Sequence, residues 1–422
     1  AGINSGLLNP FGANSAEALQ YIDSTKAFGT FSAGKGTATG VDARFNRELF
    51  AMGGGNAAIS LGAEARREGY STDTNDDLVN NVPSAGRSPY HVSDASRNVM
   101  ALSTEVLLPV SKQLELQAAA RYDRYSDFGS SFNPKIGFRY TASPELVLRG
   151  SANTGFRAPS LDDVYGPQAV TFTQNPYNDP VLCPNGVATS NAVESRDCDQ
   201  QAQAKQGGNP NLKPEKSKSF SLGTAFQPSK NLLFTVDYWN VRLNSKIGAF
   251  PEQTVFADPA KYANRFVRCN QVSAAEAANL SRCDLPGSTA IAYITTLTDN
   301  LGNVRTDGLD FTAAWQTETV LGRVTVNYDG TYVNSYKYQR EPDGEYIQNV
   351  GMYKDSSPVF RWKHNLSATL AKDNMRYTLG MRNLSGYTDE NADPDFINQV
   401  GSYTVFDLGV SYTGIKNLTL GA

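Results

Sequence analysis

The residues able to do covalent or metal chemistry are few in this chain of 422 residues. Cys183 with Cys198, and Cys269 with Cys283, form two local pairs, each inside a polar stretch containing Asn and Pro. That pattern suits two loop disulfides made in an oxidising compartment. Each would close a loop of roughly 15 residues, worth up to ~3 kcal/mol in the chain-entropy view. The alternatives are four free thiols or a zinc site. Zinc is poorly served, because there is no C-x-x-C spacing and the histidines are only His91 and His364.

No acid or nucleophile stands at motif spacing from either histidine, so no catalytic triad is expected and the chain does not read as an enzyme. Both histidines are expected at a surface or facing an interior channel. The run Gly34-Lys35-Gly36-Thr37-Ala38-Thr39-Gly40 has the wrong spacing for a dinucleotide turn and no helical pattern follows it. It reads as a flexible loop leading into a strand. Asp73-Thr74-Asn75-Asp76-Asp77 begins like a calcium loop, but Leu78 stands where the sharp turn needs Gly and no Glu closes the loop. That run, and the acidic group Asp389, Glu390, Asp393 and Asp395, read as solvated loops, so neither a metal nor a cofactor is expected. What remains is binding. Tyr165, Gln168, Phe172, Gln174, Asn175 and Tyr177 interleave aromatics with amides, the make-up of a mostly apolar pocket with a few orienting polar groups.

Elements must hold those residues, and composition limits which. Lys plus Arg total 38 against 42 Asp plus Glu, a formal charge of −4 with no basic run, so nucleic acid is not an expected partner. No stretch approaches the roughly 18 apolar residues of a membrane helix, and mean hydropathy is −0.41. Strands that alternate apolar with polar residues escape that test.

Period-two alternation recurs along the chain. From Gln113 to Arg124, Leu114, Leu116, Ala118, Ala120 and Tyr122 share one face, while Gln113, Glu115, Gln117, Arg121 and Asp123 share the other. In Glu145–Arg157, Leu146, Leu148, Ala152 and Phe156 oppose Arg149, Asn153 and Arg157. In Arg323–Tyr332, Val324, Val326, Tyr328 and Tyr332 oppose Arg323, Asn327 and Asp329. About fourteen such segments occur, near 38–50, 56–70, 96–109, 112–125, 131–142, 144–157, 216–227, 230–244, 303–317, 320–336, 359–372, 374–386, 402–413 and 415–422. Most reach the ten or so residues that a tilted strand needs to cross a bilayer.

Their connections alternate between short and long. Short ones fall at Met52–Gly55, Pro109–Ser111, Ala142–Pro144, Gln227–Lys230, Glu318–Val320, Lys372–Asn374 and Thr413–Lys416. Long ones run near 71–95, 158–215, 245–302, 337–358 and 387–401, with 126–130 the brief exception. Short turns at one rim and long loops at the other describe an up-and-down transmembrane barrel with its long loops outside the cell. Within the second very long loop, 273–282 reads as a short N-capped helix beneath the Cys269–Cys283 pair.

Several segments carry a resemblance. Arg149-Gly150-Ser151-Ala152-Asn153-Thr154-Gly155-Phe156-Arg157-Ala158-Pro159-Ser160-Leu161, followed by Gly208-Asn209-Pro210-Asn211-Leu212-Lys213-Pro214-Glu215-Lys216-Ser217, resembles the strand-to-loop and loop-to-strand signatures of TonB-dependent outer-membrane receptors. Leu61–Glu68, Ala120–Tyr125 and Val304–Asp310 are similar in character and stand in that family's order. Pro159 and Pro214 fit physically, since neither can donate to a ladder and both would end pairing at the rim.

The resemblance implies an antiparallel barrel of about twenty-two strands around an N-terminal plug. By that measure 1–422 is barrel incomplete at both ends, with about eight strands and the plug lying elsewhere. It implies active uptake of siderophore-bound iron, cobalamin or an oligosaccharide across a Gram-negative outer membrane, driven by a TonB complex acting through the plug. Arg121, Arg149 and Arg157 would face the lumen and pair with acidic groups of the plug, and the aromatic–amide loop suits a sugar or a catecholate-like siderophore equally well. The alternatives are a passive porin or structural barrel and a soluble all-β adhesin or carbohydrate-processing enzyme. The soluble reading conflicts with the alternating loop lengths.

Overall fold

The computed structural model describes residues 3–26, 28–81, 92–278, 280–283, 288–355, 357–390 and 398–422. His91, Asp393 and Asp395 lie outside them. One sheet of 15 strands dominates. Its path follows chain order: Ser32–Met52, Gly55–Thr74, Val92–Pro109, Leu114–Tyr125, Gly129–Ser143, Leu146–Arg157, Glu215–Ser229, Leu232–Asn244, Val304–Thr319, Gly322–Tyr338, Trp362–Lys372, Met375–Leu384, Tyr403–Ile415 and Leu418–Gly421. Every neighbouring pair on that path is antiparallel, and the short strand Ile347–Gln348 is added beside Tyr338. All fourteen expected strands are present as a meander.

Two boundaries differ from expectation. The Gly34–Gly40 run is not a loop: it lies inside the first strand, paired from Gly34↔Thr72 to Gly40↔Arg66. A long partner strand satisfies its backbone groups, and glycine is needed where the chains approach closely, since a Cβ at Gly40 would lie 2.7 Å from the Arg66 Cβ. The turn expected at Glu318–Val320 falls instead at Val320-Leu321. Thr319 pairs with Gly322, and the Thr319 hydroxyl donates to the Gly322 carbonyl at 2.8 Å, so a two-residue hairpin closes one step later.

The pleat separates two chemistries. Leu116 stands opposite Phe138, Tyr122 opposite Phe132 and Leu222 opposite Tyr238, and all of these side chains are exposed. A continuous exposed apolar surface across successive strands is what a lipid-facing wall requires and what a water-soluble monomer avoids. The other face carries Arg121, Asp123, Arg149, Asp237 and Arg157, and is the interior side.

The two longest loops are not irregular. Ala169–Tyr177 and Gln200–Gln206 from the first join Phe266–Arg268 and Ile291–Thr295 from the second in one four-stranded sheet. The junction is the parallel pairing Ile294↔Ala204 and Thr295↔Lys205. Around it Phe250, Val255, Phe266, Ile291 and Ile294 form one buried cluster, and Leu182, Cys269, Leu280 and Tyr293 form another. The loops therefore make a single folded cap. The helix expected over 273–282 is only Ala274–Ala277, capped by the Ser273 hydroxyl accepting from the Glu276 N–H at 3.2 Å. Leu280 turns inward to burial and ends it.

Both cysteine pairs are disulfides, Cys183–Cys198 and Cys269–Cys283, with Cα–Cα separations of 5.5 and 5.3 Å. They lie in the cap, one on each loop.

Candidate functional site

The interior wall is a network of paired charges built by strand register. Arg66, on Gly55–Thr74, bonds Glu64 and also Glu68 at 2.8 Å. One strand over, Arg97 is buried and reaches Glu68 at 2.6 Å, Asp127 at 3.3 Å and the Pro159 carbonyl at 2.6 Å. Its guanidinium also lies 5.1 Å from the Tyr125 ring centre. The Pro159 contact ties the first long loop to the wall where it leaves the sheet. A second tie is the Tyr70 hydroxyl donating to Asp162 at 2.6 Å.

Arg121, Arg149 and Arg157 lie on the charged face of the sheet, where acids of the wall itself engage them. Arg121 bonds Glu64 and Asp123, both at 2.9 Å. Arg149 makes a two-pronged bond to Asp237 at 2.8 and 2.6 Å, and Arg157 another to Glu215 at 2.9 and 2.8 Å. Arg157 and Glu215 stand directly opposite on adjacent strands, Asp123 lies two residues along the strand from Arg121, and the Arg149–Asp237 and Arg121–Glu64 bonds each reach across one intervening strand. Each arginine stays roughly half exposed, at 42, 49 and 51%. Donor surface toward the interior is thus retained. Glu215 also accepts from the Ile247 N–H at 2.7 Å, joining the wall to the root of the second cap loop.

The six aromatic and amide residues separate into two groups. Gln174 and Asn175 donate their backbone N–H groups to the Glu252 carboxylate at 2.9 and 3.2 Å, and the Tyr177 hydroxyl donates to it at 3.3 Å. Tyr177 is stacked on Phe256 with ring centres 4.0 Å apart. These three residues thereby tie one loop to the other. Burial, with the Glu252 charge beside it, pushes the Tyr177 phenol up to about 12. Gln168 donates to the Gly208 carbonyl at 3.0 Å and closes the loop stem. Only Tyr165 and Phe172 present large exposed aromatic surfaces, at 41 and 44%.

Sequence reasoning did not single out Glu252, Arg97, Asp179 or Arg268. Arg97 had a signal, since it shares a strand face with Ser103 and Glu105, opposite Met100 and Leu102. Glu252 and Asp179 had none, because their partners are up to 89 positions away in sequence. Asp179 and Asp197 are almost wholly buried in the cap. Asp179 pairs with Arg268 at 2.5 Å and Asp197 with Arg196 at 2.9 Å. Burial alone would raise the Asp197 carboxyl, but Arg196 and the Val193 N–H outweigh it and hold it below the usual range. Nearby Arg282 is buried and donates to the Gln201 carbonyl at 3.0 Å, its proton affinity lowered by desolvation.

His364 lies on the outward face, not in the interior. Its Nδ1 is 2.8 Å from the Tyr328 hydroxyl and its ring stacks 5.2 Å from that of Trp362. No three metal-ligating side chains converge among the described residues, and Glu390 of the second acidic loop pairs with Lys354 at 2.8 Å.

The meander with one short-turned and one long-looped rim, an apolar exterior and a charged interior agrees with a family model described as TonB dependent receptor-like, beta-barrel, which matches residues 3–422. The chain belongs to the TonB-dependent receptor β-barrel family. A search of curated proteins returns no match. Among solved structures, this receptor chain is similar in fold to the ferric enterobactin receptor PfeA of Pseudomonas aeruginosa, with TM-score 0.63 and 16% identity over 92% of this chain and 48% of that one. It is also similar to the siderophore receptor PirA of Acinetobacter baumannii, with TM-score 0.58 and 13% identity over 91 and 49% of the two chains. The FrpB iron transporter of Neisseria meningitidis follows, with TM-score 0.53 and 12% identity over 90 and 48%. The chain spans about half the length of these solved receptors.

Proposed function

We propose that this barrel belongs to an outer-membrane receptor that takes up a scarce solute actively, energised by a TonB complex through a plug domain, with a ferric siderophore as the substrate class. The observation carrying the reading is the family match over residues 3–422 on a sheet whose outward face is apolar strand after strand. Siderophore or iron recognition by the similar folds gives the siderophore precedence over cobalamin and oligosaccharide.

Within the cap, Tyr165 and Phe172 supply open aromatic faces for a flat aromatic ligand. Arg121, Arg149 and Arg157, though paired with wall carboxylates, keep exposed guanidinium N–H donors along the interior wall for the oxygens of an anionic complex. Gln174, Asn175 and Tyr177 act indirectly, by keeping Glu252 and the two loops in place. The test is equilibrium binding of ferric enterobactin to the detergent-purified receptor, by quenching of its tryptophan fluorescence. Binding that weakens about tenfold in the Tyr165→Ala/Phe172→Ala double variant supports the assignment, each lost stacking contact being worth on the order of 1 kcal/mol. Unchanged binding removes these two residues from the site.

A further inference from the structure

Strand register lines up four cations on the outward face. Lys218 stands directly opposite Arg242, Arg242 opposite Arg305, and Arg305 opposite Lys337. These pairings run across four adjacent strands, so the four charges form one row around the wall. At about 4.8 Å between strands the row is roughly 14 Å wide. Lys216 lies one pleat further toward the long-loop rim on the same face.

The direction follows from alternation. Lys218 shares its face with Phe220 and Leu222, Arg242 with Tyr238 and Val236, and Arg305 with Leu309 and Phe311. Phe220, Leu222, Val236 and Tyr238 belong to the exposed outer belt, with Leu309 and Phe311 partly covered on the same face, so the cations stand at its edge on the side of the long loops. All four are exposed, and none is in an ion pair with a described residue. The Arg305 guanidinium packs over the Tyr346 ring at 4.2 Å, which orients it without neutralising its charge. Asp307, an acid on the same face two positions from Arg305, accepts from Asn334 at 2.7 Å, and the row keeps a net positive charge among the described strand residues.

Like charges placed directly opposite one another on a sheet repel. An arrangement that repeats the repulsion three times across the ladder is relieved by an anion held against it. We propose that this row binds the phosphate of a lipid headgroup in the outer leaflet, with the acyl chains of that lipid lying on Phe220, Leu222, Tyr238 and Leu309. Two features select a lipid over a free anion. The row is continuous with the apolar belt beneath it, and lysine and arginine stems can lie along that belt while their heads meet the phosphate. Arg242 and Arg305 supply two-pronged donors, and Lys218 and Lys337 supply point charges at either end. This inference rests on the outer-membrane reading above.

The test is native mass spectrometry of the receptor, purified from its membrane in mild detergent, stripped of lipid and titrated with phosphatidic acid or with phosphatidylcholine of the same chains. The expected result is a one-to-one or two-to-one phosphatidic acid adduct that weakens at least tenfold in Arg242→Gln/Arg305→Gln. The adduct should persist in Arg242→Lys/Arg305→Lys, and in Lys230→Gln/Lys372→Gln, which removes the same charge at the opposite rim. Heat-modifiable gel mobility confirms that each variant retains its barrel. The proposal is overturned by equal binding in Arg242→Gln/Arg305→Gln, by phosphatidylcholine binding as tightly as phosphatidic acid, or by inorganic phosphate displacing the lipid at equal concentration. A protein that leaves the membrane fraction without detergent overturns the membrane reading as well. One that stays there with unaltered lipid binding overturns this inference alone.

Discussion

The buried Asp179 carboxylate of the first cap loop accepts from the Arg268 guanidinium of the second at 2.5 Å, across 89 residues of sequence. With the parallel pairing of Ile294 to Ala204, this bond makes two long loops one folding unit. Arg268→Ala would leave the buried Asp179 carboxylate with the Val181 and Leu182 N–H groups but without its cation, a change that costs on the order of 1–3 kcal/mol. Hydrogen exchange should accelerate in Ala169–Tyr177, Gln200–Gln206 and Ile291–Thr295 while strands such as Leu114–Tyr125 stay protected. Uniform acceleration throughout, or none, would show that the cap is not a separate unit.

The disulfides staple one loop each and do not link the loops, with sequence separations of 15 and 14. Reduction should therefore loosen each loop by up to ~3 kcal/mol without separating them. Limited proteolysis after reduction should cut first inside 184–197 or 270–282. Cleavage confined to the barrel turns would contradict this.

Asp197 should contribute to the acid sensitivity of the cap. Its folded carboxyl is held below the ordinary value, so its contribution is present above the unfolded pKa of about 3.9 and is lost as pH falls through the lower folded value. Cap protection should be flat between about pH 7 and pH 5 and decline below about pH 4. Asp197→Asn should reduce that decline. A decline centred near pH 6 would point to a group other than this carboxylate.

Two arginines on the same strand should respond differently to removal. Arg149 pairs with Asp237 in a partly open setting, and such pairs contribute about 0–1 kcal/mol. Arg157 pairs with Glu215, which is buried and also holds the Ile247 N–H. Arg157→Gln should cost about 1–3 kcal/mol through the carboxylate it leaves behind. Thermal unfolding monitored by heat-modifiable mobility separates the two; an equal loss in Arg149→Gln and Arg157→Gln would sink the distinction.

The wall was legible because a barrel strand has one lipid face and one water face, so its sequence alternates, and because turn length marks the rim. Leu114–Tyr125 shows both signals. The cap was not legible in this way. Ile291 to Ile294 is buried residue after residue and does not alternate, and its parallel partner Ala204 lies in the other loop. The aromatic–amide segment falls in the first cap loop, but the contacts its residues make could not be read from it. Whether Tyr177 meets a ligand or braces Glu252 depends on a carboxylate 75 residues away, which no local pattern announces. Alternation groups Arg121, Arg149 and Arg157 with the polar residues of their strands, while their partners follow from register, a property of several strands together.

The most direct test of the central claim is uptake of iron-55 supplied as ferric enterobactin and as other purified ferric siderophores, in cells carrying or lacking this receptor, with TonB present or deleted. The account predicts accumulation of at least one ferric siderophore that requires both the receptor and TonB. Receptor-dependent uptake that proceeds at the same rate without TonB, together with high single-channel ion conductance of the purified protein, would contradict it and identify a passive pore.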